Sequence, residues 1–150
     1  MRIDNLAKFE IKMASLPLGV QDAVKKAIGK GADEIVELMQ RTVAVEYGDL
    51  KRSITWRWGD EAKIPFSQAM GTYGRTSMSA VITAGNTNVR YAHLVEWGAR
   101  SHPAGGLFKG AQHPGAPAQP FFYPSWNIGK KSAKSRITRA ISTSIKRIGQ

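Results

Sequence analysis

The stretch from Tyr91 to Trp126 constrains the possible folds of this chain more than any other part of the sequence. It opens with a short aromatic and acidic element, Tyr91–Trp97, and closes with a second aromatic element, Pro120–Trp126. The residues between them are rich in glycine and proline: Gly98, Pro103, Gly105, Gly106, Gly110, Pro114, Gly115 and Pro117. A loop of about twenty residues is longer than compact domains usually keep without a function. We therefore predict that two ordered anchors present a mobile loop, residues 98–119, to a partner.

Length and composition indicate one folded domain that spans residues 1–150. The chain is 42% hydrophobic and has four tryptophans, which is enough apolar material for a sizeable core. It has no apolar run of 18 residues, so we expect no membrane span, and its first 16 residues do not resemble a signal peptide. The absence of cysteine excludes disulfide bonds and thiolate metal sites.

Hydrophobic periodicity predicts a long helix in the first third of the chain. Apolar residues recur every three to four positions from Val20 to Val43, which places them on one helical face. Gly48 is the predicted stop. Gly29 and Gly31 weaken this helix by about 1 kcal/mol each relative to alanine, and they indicate either close packing of another backbone or a local kink.

A second apolar stripe of helical spacing runs from Trp126 to Ile148. We therefore predict a C-terminal helix over residues 125–148, with Ser125 as its N-cap. Serines, threonines and a glycine lower the helix propensity of its first turns, which favours a regular start near Lys130. Basic side chains fill most of the other positions, so the helix is expected to lay its stripe on a sheet and turn a basic face outward.

Alternating and β-branched patterns predict the strands. Phe9, Ile11 and Met13 alternate with charged residues, which is typical of a short half-buried strand. Residues 53–58 and 78–84 are rich in β-branched or alternating apolar residues and are also predicted to be strands. The expected fold class is α+β. In it, a long N-terminal helix and a basic C-terminal helix pack on a mainly antiparallel sheet of about four strands.

Glu96 is the acidic residue that most needs an explanation. It lies in Tyr91–Trp97, whose spacing fits either a helical turn or a strand. A buried carboxylate needs a partner, and the many arginines of the chain could supply one. No acidic residue follows Glu96, so the sequence after it offers no second carboxylate for catalysis. We therefore predict a structural or interface ion pair.

Positive charge is concentrated toward the C-terminus. Residues 1–50 carry seven Lys/Arg and eight Asp/Glu, residues 51–100 carry seven and three, and residues 101–150 carry eight and none. The net charges of −1, +4 and +7 sum to +11. This asymmetry indicates a polyanionic or acidic partner, with a purely solubilising role as the alternative. The predicted basic surface consists of Lys130, Lys131, Lys134, Arg136, Arg139, Lys146 and Arg147.

No pattern in the sequence indicates catalysis, a cofactor or a metal site. His93, His102 and His113 have spacings of nine and eleven residues, which match no zinc signature, and the last two are expected to be exposed in the loop. Phosphate-binding glycine loops and a nucleophile elbow are also missing from the sequence. Seven of the eleven acids precede Gly48, mostly on the charged face of the first helix. We therefore predict that the protein is not an enzyme.

The central stretch also resembles a known family. The element Y-A-x-x-V-E-x-G at Tyr91–Gly98 is followed, after the loop, by P-A-Q-P-F at Pro117–Phe121. Upstream, Gly48–Ile54 carries the pattern G-x-L-[KR]-x-S-I. These motifs, with the helices around them over roughly residues 9–147, are similar to the small neck or tail-component proteins of long-tailed, lambda-like phages. Those proteins lie where the phage head meets the tail.

The resemblance implies a virion structural protein at the head–tail junction, acting as a neck or tail-completion ring in head–tail joining and tail assembly. It implies self-association into a six-fold or twelve-fold ring, assembled in the cytoplasm of the bacterial host. Neighbouring head-connector and tail-tube proteins are the implied partners, together with double-stranded DNA that passes non-specifically through the channel. Docking is predicted for loop 98–119, with 59–76 as a second candidate. The predicted interface residues are Glu96, Trp97, Arg100, His102, Phe108, His113, Phe121 and Phe122.

A small basic nucleic-acid-binding module is the alternative hypothesis. Lys130–Arg147 would then contact phosphates, and the affinity would fall steeply with salt. No helix-turn-helix spacing, pair of RNA-binding aromatics or zinc finger supports recognition of a particular sequence. Some binding of nucleic acid at low salt is expected of any protein with a net charge of +11. Only salt-resistant or sequence-selective binding would therefore favour this alternative.

Overall fold

The structure, a computed structural model, describes residues 11, 14–44, 48–61, 70–71 and 76–148. In chain order its elements are α1 (Leu18–Thr42), α2 (Asp49–Ser53), β1 (Thr55–Trp58), β2 (Met70–Gly71), β3 (Ala80–Ala84), α3 (Ala92–Trp97), β4 (His102–Pro103), a 3-10 helix (Gly106–Phe108), β5 (Gln112–His113) and α4 (Phe122–Ile148). Two long helices thus accompany two small antiparallel sheets, and the predicted α+β class is confirmed. None of the described helices is both long and apolar enough to span a membrane.

The larger sheet has three strands in the order β1-β3-β2, and both pairings are antiparallel. The two longer strands predicted from the sequence are present, but each starts later than expected. The first is displaced because Ser53 closes helix α2 instead of opening a strand. Its buried hydroxyl donates to the Leu50 carbonyl (2.7 Å) and accepts the Gly85 N–H (3.0 Å). This side chain therefore ties the end of α2 to the end of β3.

Helices α1 and α4 make the most extensive packing contact between elements in the described part of the molecule. A Cβ added to Gly31 would lie 2.9 Å from Cβ of Ala133, and one added to Gly129 would lie 2.4 Å from Cγ1 of Ile35. Both distances are too short for carbon atoms in contact, so the helices approach this closely because these positions lack side chains. Of the two alternatives for Gly31, close packing of another backbone is confirmed.

The core lies between the three-stranded sheet and the two long helices. Buried residues of α1 recur at helical spacing from Val20 to Met39, as its apolar stripe predicts. The largest of the fully buried side chains are Phe121, Phe122, Met39, Ile54 and Ile82. Burying each of these stabilises the fold by roughly 1.5–3 kcal/mol before entropic costs are subtracted. Two of them, Phe121 and Phe122, come from the second aromatic element, so that element is part of the core.

The predicted N-terminal strand is wrong where the structure describes it. Ile11 and Ala14 are helical, and the Ser15 N–H donates to the Ile11 carbonyl (3.1 Å), a helical hydrogen bond. Phe9 and Met13 lie outside the described residues, as does most of the second predicted docking loop, 59–76. Three alternating residues are too few to separate a strand from a helix when no pairing strand is specified.

Candidate functional site

Glu96 holds the start of helix α4 from a distance of 25 residues along the chain. Its side chain is 1% exposed and lies on α3, which resolves the Tyr91–Trp97 element as a helix. Oε2 accepts the N–H groups of Phe121 (2.7 Å) and Phe122 (2.8 Å), and Oε1 accepts that of Tyr123 (3.0 Å). The first N–H groups of a helix have no partner within the helix, and the positive end of its dipole favours a negative charge. The carboxylate therefore caps α4.

This geometry corrects three predictions from the sequence. The partner of Glu96 is a set of backbone N–H groups, not an arginine. Unpaired N–H donors at a buried helix start bind a carboxylate as effectively as an arginine side chain would. Helix α4 begins at Phe122, before the predicted starts at Ser125 and Lys130. Ser125 is buried within the first turn and is not the N-cap. Proline is tolerated in a first turn, so Pro124 does not delay the helix.

The predicted loop is a β-hairpin, which we call the hairpin arm (residues 99–116). At its base Ala99 and Ala116 exchange two backbone hydrogen bonds of 2.9 Å, and further out His102 pairs with His113. Gly115 has a φ of +85°, and a Cβ there would lie 2.3 Å from the Ala99 carbonyl oxygen. The glycine therefore lets the strands close at the base. Sequence reasoning missed the pairing because the prolines weakened the strand signal. The mobility predicted for residues 98–119 stays a prediction.

Side chains add cross-strand contacts to the arm. The rings of His102 and His113 stack with centroids 4.9 Å apart. The Gln112 amide donates across the hairpin to the Ser101 hydroxyl (2.7 Å), whereas the Gly115 N–H donates to Nδ1 of His113 (3.0 Å) on its own side. Both histidines are exposed, as predicted, and no group of three or more candidate metal ligands occurs among the described residues.

The hairpin arm projects from the body of the subunit. From residue 100 to residue 120, all residues except Ala104 and Gly115 are exposed, so both faces of the hairpin meet solvent. Neither long helix nor the three-stranded sheet packs extensively against it. Its 3-10 helix carries Leu107, which is 100% exposed, and Phe108, which is 73% exposed. We call these two residues the tip. Apolar side chains so fully exposed on an arm favour contact with another molecule.

The predicted interface residues thus fall into two groups. Glu96, Phe121 and Phe122 are inside the subunit, where they fix the root of the arm. The remaining residues are exposed, on or next to the arm: Trp97, Arg100, His102, Phe108 and His113. The structure adds neighbours that sequence reasoning did not select. The ring of Tyr123 lies 5.5 Å from that of Trp97. Leu94 is exposed on α3, and Tyr91 is exposed directly before that helix.

The residues of the predicted basic surface also fall into two groups, those with a polar partner and those without one among the described residues. Arg136 makes a two-pronged contact from α4 to Glu34 on α1, with Nη1 2.7 Å from Oε2 and Nη2 2.5 Å from Oε1. The hydrogen bond from Arg136 lowers the pKa of the Glu34 carboxyl below its ordinary value of 4.5. Lys130 donates to Asn127. The other cations are exposed and form no ion pair with a described residue, and we call them the basic face: Lys131, Lys134, Arg139, Lys146 and Arg147.

Fold and surfaces together define a small α+β protein with a compact body, an exposed arm and a basic helix. The chain matches the family model described as "HK97-gp10_like: Bacteriophage HK97-gp10, putative tail-component" over residues 7–98, more than half of its length. The protein therefore belongs to this family of phage tail components, and a virion-associated structural role follows. The match ends where the arm begins. Comparisons with characterised proteins and with solved structures found no match.

Proposed function

We propose that this tail component acts at the head–tail junction, as a neck or tail-completion ring in head–tail joining. The observation that carries the proposal is the hairpin arm, which leaves the body with both faces exposed and an apolar tip. An isolated two-stranded hairpin is at best marginally stable in water. Contacts with neighbouring molecules in an assembly would bury the tip and stabilise the arm.

The proposed partners are other copies of the chain in a six-fold or twelve-fold ring, and the adjoining head-connector and tail-tube proteins. The basic face of α4 is proposed to meet double-stranded DNA in the channel or an acidic neighbouring subunit. Attraction between exposed lysines and phosphates needs no particular base sequence, which suits a conduit that every part of a genome passes. Family membership favours this structural role over an enzymatic one.

Shortening the arm tests its role in assembly. Replacing residues 100–115 by an Asn-Gly turn keeps the Ala99–Ala116 pairing at the base, since this dipeptide favours tight hairpins. We expect an unchanged thermal midpoint and loss of the protein from purified phage particles. Normal incorporation of the shortened chain would contradict the proposed role of the arm.

Counting copies tests the location. Quantitative mass spectrometry of density-purified particles should find this chain at about six or twelve copies per particle, as rings matched to the tail or portal require. Absence of the chain from intact particles, with abundant protein in the lysate, would exclude a place in the finished head–tail junction.

The nucleic-acid-binding alternative is favoured by one observation, the unpaired basic face of α4. Each phosphate contact contributes about −0.9 to the slope of log affinity against log salt concentration. Changing Lys131, Arg139 and Lys146 to Gln should therefore reduce that slope by up to about 2.7. The matched control changes Lys25, Lys26 and Lys30 on α1, which removes the same charge. Equal effects of the two triple variants would indicate attraction by net charge alone.

A further inference from the structure

Exposed apolar side chains are concentrated at the two ends of the hairpin arm. Ten large apolar side chains are exposed among the described residues, and six of them lie here. Leu107 and Phe108 form the tip. The others form what we call the base patch, beside the root of the arm: Tyr91, Leu94, Trp97 and Tyr123. Single exposed apolar residues are ordinary, whereas clusters indicate interaction surfaces.

The base patch borders a hollow that can receive side chains. Tyr91 and Leu94 line a cavity of about 660 Å³ between α2, α3 and the root of the arm. Leu50, Val95 and Pro117 are also among its apolar lining residues. The volume falls within the range of about 300–1,000 Å³ that is typical of sites that take up small ligands. The hollow is therefore large enough for the two side chains of a tip.

A cation follows the tip, and a carboxylate lies in the hollow. Residues 98–119 carry Arg100 and Lys109 and no acidic residue, and Lys109 directly follows the tip. Among the described residues that line the hollow there is one acid, Asp49. Its Oδ1 accepts a hydrogen bond from Arg52 (2.5 Å), and no described residue donates a hydrogen bond to its Oδ2. An ammonium group arriving with a docked tip would therefore find a carboxylate oxygen beside the apolar contact.

The tip that fills this hollow cannot belong to the same chain. Backbone pairing runs from Ala99 at the base to Ala104, five positions along the strand, which corresponds to roughly 17 Å before the turn that carries Leu107. The tip and the base patch of one subunit are therefore at opposite ends of one arm, and Leu107 is fully exposed. A second copy of the chain carries the matching end.

We propose that the tip of each subunit docks on the base patch of a neighbouring copy. The contact joins two different surfaces, so it is heterologous, and a repeated heterologous contact closes into a ring when its rotation permits. This inference rests on the proposed ring function and deepens it by naming the two surfaces that meet. The connector and tail-tube proteins would then contact other parts of the ring.

Disulfide cross-linking tests this contact directly, because the chain has no cysteine of its own. A double variant, Phe108→Cys with Leu94→Cys, places one thiol on the tip and one on the base patch. A disulfide needs Cα atoms within about 7 Å, so the two thiols of one chain cannot pair. We expect oxidation of the purified full chain, or of particles assembled with it, to give a ladder of linked oligomers. The largest closed species would report the number of subunits in the ring.

Matched variants define the result. A mixture of the two single-cysteine chains should give a tip-to-patch dimer, whereas Phe108→Cys with Ile128→Cys should give no ladder, because Ile128 is exposed on α4 outside the patch.

As a second measurement, Lys109→Asp and Asp49→Lys should each reduce association in sedimentation equilibrium, and the charge-swapped pair should restore it. No ladder in either sample, or an equal ladder with the Ile128 control, would overturn the proposal.

The outcomes separate this inference from the function on which it rests. A ladder from the purified chain without incorporation into particles would support self-docking and contradict the head–tail location. Normal incorporation into particles without a ladder would leave the location standing and overturn docking between copies. In that case the tip contacts a protein other than this chain.

Discussion

Three buried residues at the root of the arm, which we call the anchor (Glu96, Phe121 and Phe122), are close to the hairpin arm in sequence but opposite to it in environment. In the anchor, Glu96, Phe121 and Phe122 are at most 1% exposed, and the carboxylate is saturated by three backbone N–H groups. In the arm, Leu107 and Phe108 are among the most exposed side chains described. Aromatic and apolar residues only a dozen positions apart are therefore buried in the core in one case and exposed to solvent in the other. Hydrophobicity alone does not distinguish them.

Stability and assembly can therefore be separated in this molecule. Burial and the capped helix start connect the anchor to the core, so changes there should alter the free energy of unfolding. The arm makes contacts mainly between its own strands, so changes at its tip should not alter the free energy of unfolding.

The largest loss of stability is expected from Glu96→Ala. It would leave the N–H groups of Phe121 and Phe122 without their buried acceptor, and it would remove the charge from the helix start. The expected cost is about 3 kcal/mol, since an unsatisfied buried donor costs about 1–3 kcal/mol and a lost cap about 1. Urea unfolding measures the change. Glu96→Gln keeps one acceptor oxygen and should lose less.

An exposed acid provides the control for that experiment. Glu37 lies on α1 and pairs with Arg41 one turn later on the same helix. Glu37→Ala should cost well under about 1 kcal/mol, because exposed pairs of this spacing contribute little. A similarly small cost for Glu96→Ala would mean that the capping carboxylate does not hold α4 in place.

The helix crossing should show the next largest effect. Gly129→Ala places a Cβ 2.4 Å from Cγ1 of Ile35, and such overpacking usually costs about 1–3 kcal/mol. Higher helix propensity returns about 1 kcal/mol, so we expect a net loss of about 1 kcal/mol. Gly19→Ala on α1 is the matched control, since nothing lies within 4 Å of its added Cβ, and it should be neutral or stabilising. Equal stabilisation by both changes would contradict the close crossing.

The sequence predicted the two long helices because their periodic apolar stripes extend over many residues. It predicted the two longer strands from their alternating and β-branched residues. The stripe of α1 appears as buried residues from Val20 to Met39, where predicted. It also identified the anchor elements on either side of the arm. The short N-terminal alternation failed, since three residues cannot decide between strand and helix.

The cap and the arm could not be derived from local patterns. Glu96 and Phe121 are 25 residues apart, and only the tertiary fold brings the carboxylate to the helix start. Local signals at Ser125 therefore suggested the wrong cap. In the arm, Pro103 and Pro114 concealed the short strands, while Gly98 and Gly115, both with positive φ, were the signal that the base could close.

A small effect that depends on pH is expected from Glu34. Its hydrogen bond with Arg136 lowers the pKa of the carboxyl in the folded protein below 4.5, so the contribution to stability is present above that pH. It is lost as the pH falls through the lower folded pKa. The difference in thermal midpoint between Glu34→Gln and the unaltered protein should therefore be small at pH 7 and vanish in acid. A difference that persisted in acid, or grew with added salt, would exclude the ion pair as its cause.

The smallest effect on stability, and the sharpest test of the contrast, is expected at the tip. Leu107→Ser together with Phe108→Ser removes two large apolar side chains, yet folding hides almost none of Leu107 and little of Phe108 from water. Hydrophobic stabilisation scales with the apolar area removed from water, so the free energy of unfolding should change by less than about 0.5 kcal/mol. The same double change should abolish oligomer formation, because the area that it removes is buried only in contact with a neighbour. A loss of more than about 1 kcal/mol in urea unfolding of the isolated subunit would show that the arm packs on its own body. Stability and assembly would then not be divided between the anchor and the arm.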